Sequence, residues 1–187
     1  MNKIFEKLTN QLTETIDSSV ALALHNKNQE VEVIHLLWAL LTNTNSVLNQ
    51  LLNKMNVNKV AIELEAKSYA SKLPSVSSVT KESIKLSRNL VSSLQNAEGL
   101  MASFGDKFIA VDTWLISNLD SSVIKDVLGK YVDLKEAKKE LEAMRAGKTI
   151  DSNSGDENLE ALNKYGIDLN KKAIDGLLDP VIGRDEQ

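Results

Sequence analysis

Residues 29–41, QEVEVIHLLWALL, form the densest apolar stretch of this 187-residue sequence. Apolar side chains on every face of a short segment predict a helix that is buried all round. The polar residues before it predict an extended turn, with the helix beginning at or near Glu32. His35 then lies at the head of the helix, as a packed or capping side chain. We therefore expect this segment to be the central helix of a folded unit.

The same pattern returns 78 positions later as KFIAVDTWLISNL, residues 107–119. Three apolar positions of the first stretch recur in the second, as the pairs Val33 and Val111, Leu37 and Leu115, and Leu41 and Leu119. With this offset, residues 9–41 align with 87–119 without a gap. Small changes of offset, absorbed by loops, align the segments that follow. A fixed period of this length indicates an internal duplication.

The spacing of apolar residues by three and four positions predicts helices through most of both copies. We therefore predict an all-α fold with eight helices, built as two homologous four-helix repeats at about residues 1–73 and 80–146. Thr9 is expected to cap the first helix of the first repeat, and Ser87 stands at the matching position of the second repeat. A loop is expected from Pro74 to Thr80.

The sequence changes character after residue 146. Residues 147–158 are small, polar and charged without an apolar period, which predicts a flexible linker. Residues 159–187 begin with a short helical pattern and then become rich in turn residues. They end without a closing element, as if the chain were cut from a longer protein. We expect them to be the truncated start of a further module.

Composition favours a soluble, cytoplasmic protein. The chain has no cysteine, which fits a reducing compartment, and its N-terminus lacks the apolar core of a signal peptide. No apolar run is long enough to cross a bilayer. The net charge is −4, with no clustered basic face. Neither nucleic acid nor a membrane is therefore an expected partner.

No motif in the sequence predicts catalysis or a bound metal. Residues 147–149, GKT, resemble the end of a P-loop, but the glycine that the motif needs five positions earlier is Glu142. The run DSNSGD at 151–156 lacks the spacing of a calcium loop. The two histidines, His25 and His35, are ten positions apart and have no cysteine partner. We expect no catalytic residue, no metal and no cofactor in this chain.

Asp106 and Asp112 have two possible interpretations. Asp112 lies in the first turn of the second buried helix, where the helix dipole favours a carboxylate, and capping is the simpler interpretation. The functional alternative is a polar rim beside an apolar groove that grips a peptide. The side chains that would supply the apolar wall are Leu12, Leu94, Phe104, Phe108 and Trp114.

Four segments carry a family resemblance: KLTNQL at 7–12, EVIHLLWALL at 32–41, GDKFIAVDTWLISNL at 105–119 and LNKYGIDLNKKAIDGLLDPVIGRDE at 162–186. Together they resemble the N-terminal repeat domain of the ClpB-type AAA+ disaggregase chaperones. In the last segment, LDPVIGRDE is similar to the family's entry to its first ATPase module. The sequence departs from the family at Glu32-Val33, where Glu-Pro is common, and at Asp112, where glutamate is common.

The resemblance implies a mobile domain that engages unfolded or aggregated polypeptides and delivers them to a hexameric threading motor, acting with the DnaK system under heat stress. The full-length protein is implied to bind ATP and Mg, although this fragment lacks the P-loop. Thr9, Asp106 and Asp112 match polar positions implicated in substrate handling. Val181 and Ile182 match residues of a nucleotide pocket that is incomplete here. The alternative is an adaptor-docking or regulatory domain of a protease-linked Clp unfoldase.

Overall fold

The structure is a computed structural model and describes residues 3–156. This part of the chain confirms the all-α prediction, with two short strands, Glu30–Val31 (β1) and Lys85–Leu86 (β2), and a 3₁₀ turn at Lys3–Lys7. Its eight α-helices are α1 Asn10–His25, α2 Val33–Thr42, α3 Val47–Lys54, α4 Lys59–Ser71, α5 Arg88–Phe104, α6 Val111–Asn118, α7 Ser122–Val127 and α8 Leu134–Arg145. Within residues 3–156, no helix is long and apolar enough to cross a membrane.

Matching caps begin the first helix of each repeat. Thr9 precedes α1, and its hydroxyl accepts a hydrogen bond from the backbone N–H of Leu12 at 3.2 Å. Ser87 precedes α5, and its hydroxyl accepts from Leu90 N–H at 3.0 Å. A hydroxyl at this position satisfies one of the backbone donors that a helix start leaves unpaired. Both predicted caps are confirmed, and they fix the same starting point in the two copies.

The two duplicated apolar segments form the centre of the fold. In α2, nine of the ten residues are buried, and in α6 seven of the eight are buried. Helix α2 packs against α1, α3, α4, α5 and α7, while α6 packs against α3, α5 and α8. The burial of residues on all sides explains why neither segment shows a polar face. The expectation of two buried central helices is confirmed.

The two repeats are joined by reciprocal backbone pairing. Val31, which precedes α2, pairs in parallel with Leu86, which precedes α5. Leu8, which precedes α1, pairs in parallel with Ile109, which precedes α6. The offset of 78 converts one pair into the other, because Leu8 corresponds to Leu86 and Val31 to Ile109. Each repeat therefore pairs the entry of its first helix with the entry of the other repeat's second helix.

The contacts of the domain continue beyond its predicted end at residue 146. We call residues 147–156 the connector segment. Lys107 N–H donates to the carbonyl of Ile150 at 2.8 Å, and Asn10 N–H donates to the carbonyl of Asn153 at 2.6 Å. The Ile150 side chain is only 1% exposed. A single aliphatic residue in a polar stretch has no period, and for that reason the sequence pattern did not predict this packing.

A core substitution tests the central position of α2. Leu37 is completely buried, and we expect Leu37→Ala to lower the free energy of unfolding by about 2–5 kcal/mol, through lost burial and the cavity that remains. Leu64 on α4 is 59% exposed, and Leu64→Ala should change it by less than about 0.5 kcal/mol. Urea denaturation followed by circular dichroism measures both. Equal losses in the two variants would contradict the assignment of α2 as the core.

Candidate functional site

Arg145, the last residue of α8, lies at the centre of a buried charge cluster. Its Nε donates to Asp112 Oδ2 at 2.9 Å and its Nη2 to Asp112 Oδ1 at 2.7 Å, a two-pronged pair. Its Nη1 donates to Asp106 Oδ2 at 2.7 Å and to Oδ1 at 3.0 Å. The planar guanidinium suits such bidentate contacts with carboxylates. One cation therefore holds together two carboxylates from different parts of the second repeat.

The surroundings of Arg145 satisfy the rest of the cluster. Its Nη2 also donates to Thr113 Oγ1 at 3.1 Å, and its carbon Cζ lies 5.1 Å from the centre of the Phe104 ring. Burial by itself would lower the pKa of Arg145, but the hydrogen bonds and charges of Asp112 and Asp106 outweigh it and raise that pKa. The guanidinium is therefore cationic at any physiological pH. With two carboxylates against one cation, the cluster carries one net negative charge.

Asp106 also holds the connector segment. Its Oδ1 accepts a hydrogen bond from the backbone N–H of Ile150 at 2.8 Å, and the carbonyl of Lys148 accepts from Arg145 Nη1 at 3.3 Å. The adjacent Gly105 ends α5 with φ of 76°, in the left-handed region that favours glycine. This turn directs Asp106 towards Arg145, so that the end of α5, the end of α8 and the connector segment meet at one carboxylate.

Thr9 joins the site through Asp156. The Thr9 hydroxyl donates to Asp156 Oδ2 at 2.7 Å while it caps α1. The same carboxylate oxygen accepts from Val111 N–H at 3.4 Å, at the start of α6. Residue Ala110 at the N-cap of α6 has no polar side chain, and Asp156 supplies a carboxylate to this helix start from a distant part of the sequence.

Comparison with known proteins identifies the fold that carries this cluster. The Clp repeat (R) N-terminal domain family matches residues 7–131. A chaperone protein ClpB of Wolinella succinogenes is 57% identical over 183 residues, which cover 98% of this chain and 21% of that protein. The chain belongs to the Clp N-terminal domain family. It spans about a fifth of the length of this relative.

Solved structures support the same fold. The N-terminal domain of Hsp104 from Candida albicans superposes with a TM-score of 0.72 at 21% identity, covering 80% of this chain and 99% of that domain. A ClpV N-domain in complex with a VipB peptide superposes with a TM-score of 0.59 at 19% identity, covering 78% of this chain and 91% of that one. At these identities the likeness concerns the fold of the Clp N-terminal domain and nothing more.

The structure places the six predicted substrate-binding residues inside this Clp N-terminal domain. Asp106 and Asp112 are brought together by Arg145, and each is 7% exposed. Thr9, Leu12, Leu94 and Trp114 are completely buried, and the Trp114 indole donates to Ser93 Oγ at 2.8 Å. Their role in substrate binding stays a prediction. Val181 and Ile182 lie outside the described residues.

Arg145 and Asp156 are the residues of the cluster that sequence reasoning missed. Arg145 stands in the last turn of a helix rich in charged residues, where a cation is expected to face solvent and complement the helix dipole. Asp156 belongs to a polar stretch without a period. The available signal was the pair Asp106 and Asp112, since two acidic residues close to a buried helix call for a buried cation.

The first repeat holds a neutral counterpart of this cluster. Asn28 and His35 correspond by the offset of 78 to Asp106 and Thr113. His35 Nδ1 accepts from the backbone N–H of Glu32 at 2.8 Å, and His35 Nε2 lies 2.8 Å from Asn28 Oδ1. A neutral imidazole protonated at Nε2 satisfies both contacts. Burial lowers the pKa of His35 from 6.5 to about 4.

Removal of the buried cation tests the charge cluster. Arg145→Met leaves Asp106 and Asp112 buried without a counter-ion, and we expect the free energy of unfolding to fall by about 3–5 kcal/mol. Arg88, which is exposed at the start of α5, provides the control, and Arg88→Met should change it by less than about 0.5 kcal/mol. Urea denaturation at neutral pH decides the matter. A stability of Arg145→Met equal to that of the control would contradict the assignment.

The pH dependence of stability tests the state of His35. Because its pKa is lower in the folded chain, the unfolded chain binds the proton first, and stability is complete above pH 6.5 and is lost as the pH falls towards 4. The contribution amounts to about 3 kcal/mol over this window. His35→Gln should remove this component of the pH dependence, whereas His25→Gln, at an exposed position, should retain it. Unfolding curves from pH 7.5 to pH 4 that coincide in shape for both variants would disprove it.

Proposed function

We propose that this chain is the substrate-binding N-terminal domain of an ATP-dependent protein disaggregase. In this role it engages unfolded or aggregated polypeptides and delivers them to a hexameric threading motor. The observation that carries the proposal is the 57% identity with a chaperone protein ClpB over 98% of this chain. The charge cluster supports it, because it links the second repeat to the end of α8, from which the chain continues towards residue 187.

The six predicted substrate-binding residues take different parts in this proposal. Thr9, Asp106 and Asp112 provide polar groups at the starts of α1 and α6 and at the end of α5. Leu12, Leu94 and Trp114 support these helices from the core. The polar residues are the ones that a bound polypeptide would meet, since extended chains present backbone N–H and C=O groups that need partners.

The properties of the full-length protein belong to the same proposal. There the domain precedes AAA+ modules that bind ATP and Mg, form a homohexamer and act in the cytoplasm with the DnaK system. Val181 and Ile182 would contribute to the first nucleotide pocket once the rest of that module is present. The fragment by itself is proposed to be a binding domain and not an enzyme, and to need no cofactor.

A second function, docking of an adaptor or a specific partner peptide, has one observation in its favour. The ClpV N-domain that shares this fold is described in complex with a VipB peptide. The same scaffold in this chain would then recognise one sequence instead of many unfolded chains. The two candidates differ in specificity, because a substrate-binding domain accepts unrelated unfolded polypeptides and a docking domain does not.

A titration with an unfolded protein tests the proposal. We expect NMR signals around Thr9 and Asp112 to shift when casein is added to the chain. Thr9→Ala and Asp112→Ala should each weaken binding by roughly fivefold, the equivalent of about one lost hydrogen bond. Asp120→Ala, at an exposed site near α7, serves as the control and should bind as the unmodified chain does.

The result also separates the two candidates. Shifts spread evenly over the surface, with no cluster near Thr9 and Asp112, would overturn the proposed site. The absence of binding to casein and to other unfolded chains, together with capture of one partner peptide, would favour the docking function. A thermal unfolding curve for each variant shows whether weaker binding follows from a loss of folded protein.

A further inference from the structure

We propose that the connector segment, residues 147–156, occupies the polypeptide-binding surface of the domain, and that an extended segment of substrate binds by displacing it. This inference rests on the proposed function and deepens it. It names the surface, which lies along the start of α1 and the residues between α5 and α6. It also names the substrate class, which is an extended chain with a branched aliphatic side chain.

The first argument is that the connector segment is held largely through its backbone. Ile150 donates its N–H to Asp106 Oδ1 at 2.8 Å and accepts from Lys107 N–H at 2.8 Å. Asn153 accepts from Asn10 N–H through its carbonyl at 2.6 Å. Any extended polypeptide carries the same groups, and backbone pairing of this kind is one of the usual ways of binding peptides of varied sequence. The surface therefore suits a substrate that has no fixed sequence.

The second argument is the single apolar anchor of the segment. Ile150 is 1% exposed, whereas its neighbours Thr149 and Asp151 are both exposed. A buried aliphatic side chain between exposed ones gives a preference for a branched apolar residue without reading the positions beside it. Aliphatic residues of this kind belong to the interior of folded proteins and become available when those proteins unfold.

The third argument is that displacement would open the predicted polar residues. Asp106 Oδ1 accepts from Ile150 N–H, and the Thr9 hydroxyl donates to Asp156. Both contacts end when the connector segment leaves. Asp106 then offers its carboxylate oxygen to a substrate N–H, while Arg145 holds the carboxylate in place through Nη1. Thr9 and Asp106 are thus buried in this structure and accessible in the open form.

The first repeat provides a comparison for this arrangement. The residues that follow α4 return over the loop after α1, where Val76 N–H donates to the carbonyl of Lys27 at 2.7 Å and Asn28 Nδ2 donates to the carbonyl of Pro74 at 3.1 Å. Asn28 corresponds to Asp106, so that both repeats cover the same position with the chain that leaves the fourth helix. Residues 74–76 continue into β2 and α5 of the folded domain, whereas the connector segment follows the last of the described helices from α1 to α8.

Release of the connector segment provides the first experiment. A Cβ at Gly155 would lie 2.9 Å from Ile150 Cγ2, so that Gly155→Ala pushes the anchor out. Ile150→Asp removes the apolar anchor by a different route. If the segment is docked in about nine of ten molecules, each release variant should bind fluorescein-labelled casein about tenfold more tightly. Gly99→Ala, where a Cβ meets no atom within 4 Å, is the matched control and should bind as the unmodified chain does.

A reversible lock provides the second experiment. The chain has no cysteine, and a disulfide between Asn10→Cys and Asn153→Cys would join two residues whose backbones are hydrogen bonded. Thiol titration verifies the bond. We expect the oxidised variant to bind labelled casein at least about tenfold more weakly than the same variant after reduction. Equal binding in both states, or release variants that bind no better than Gly99→Ala, would overturn the inference and leave the proposed function standing. If neither the unmodified chain nor any release variant binds casein, both fail.

Discussion

Reciprocal pairing between the two repeats is the constraint on which the rest of the structure depends. Leu8 pairs with Ile109, and Val31 pairs with Leu86, so that each repeat supplies one partner to the other at both places. These short pairings fix where α1, α2, α5 and α6 begin, and the caps at Thr9 and Ser87 follow directly. A four-helix repeat of about 70 residues buries a modest core by itself. The reciprocal arrangement gives the duplicated units one shared core.

The duplication kept the architecture and changed its polar interior. At the position after the first helix, the first repeat has Asn28 paired with His35. The second repeat has Asp106 at the matching position and adds Asp112, both held by Arg145. A neutral pair needs only hydrogen bonds when it is buried, whereas buried carboxylates need a cation as well. The second copy therefore became dependent on α8, and through α8 on the chain that follows.

This dependence explains why the second repeat is the place where binding and the exit of the chain can be linked. Arg145 ends α8, contacts the carbonyl of Lys148 and holds Asp106, which in turn holds Ile150. Asp156 then reaches Thr9 and the start of α6. The chain that leaves the domain thus remains attached to the polar groups that the family resemblance associates with substrate. Family membership and this geometry support the same role for the second copy.

The sequence by itself determined the duplication, the eight helices, the caps at Thr9 and Ser87 and the two central helices. These features are written in short windows, as helical spacing, capping residues and a fixed period. Only the tertiary structure decided which apolar residues are core, since a period shows which face of a helix is apolar and not what covers it. Leu12, Leu94 and Trp114 were predicted as the wall of a groove and are completely buried. It also decided the partners of Asp106 and Asp112, because Arg145 lies more than thirty positions away and stands where a helix end favours an exposed cation.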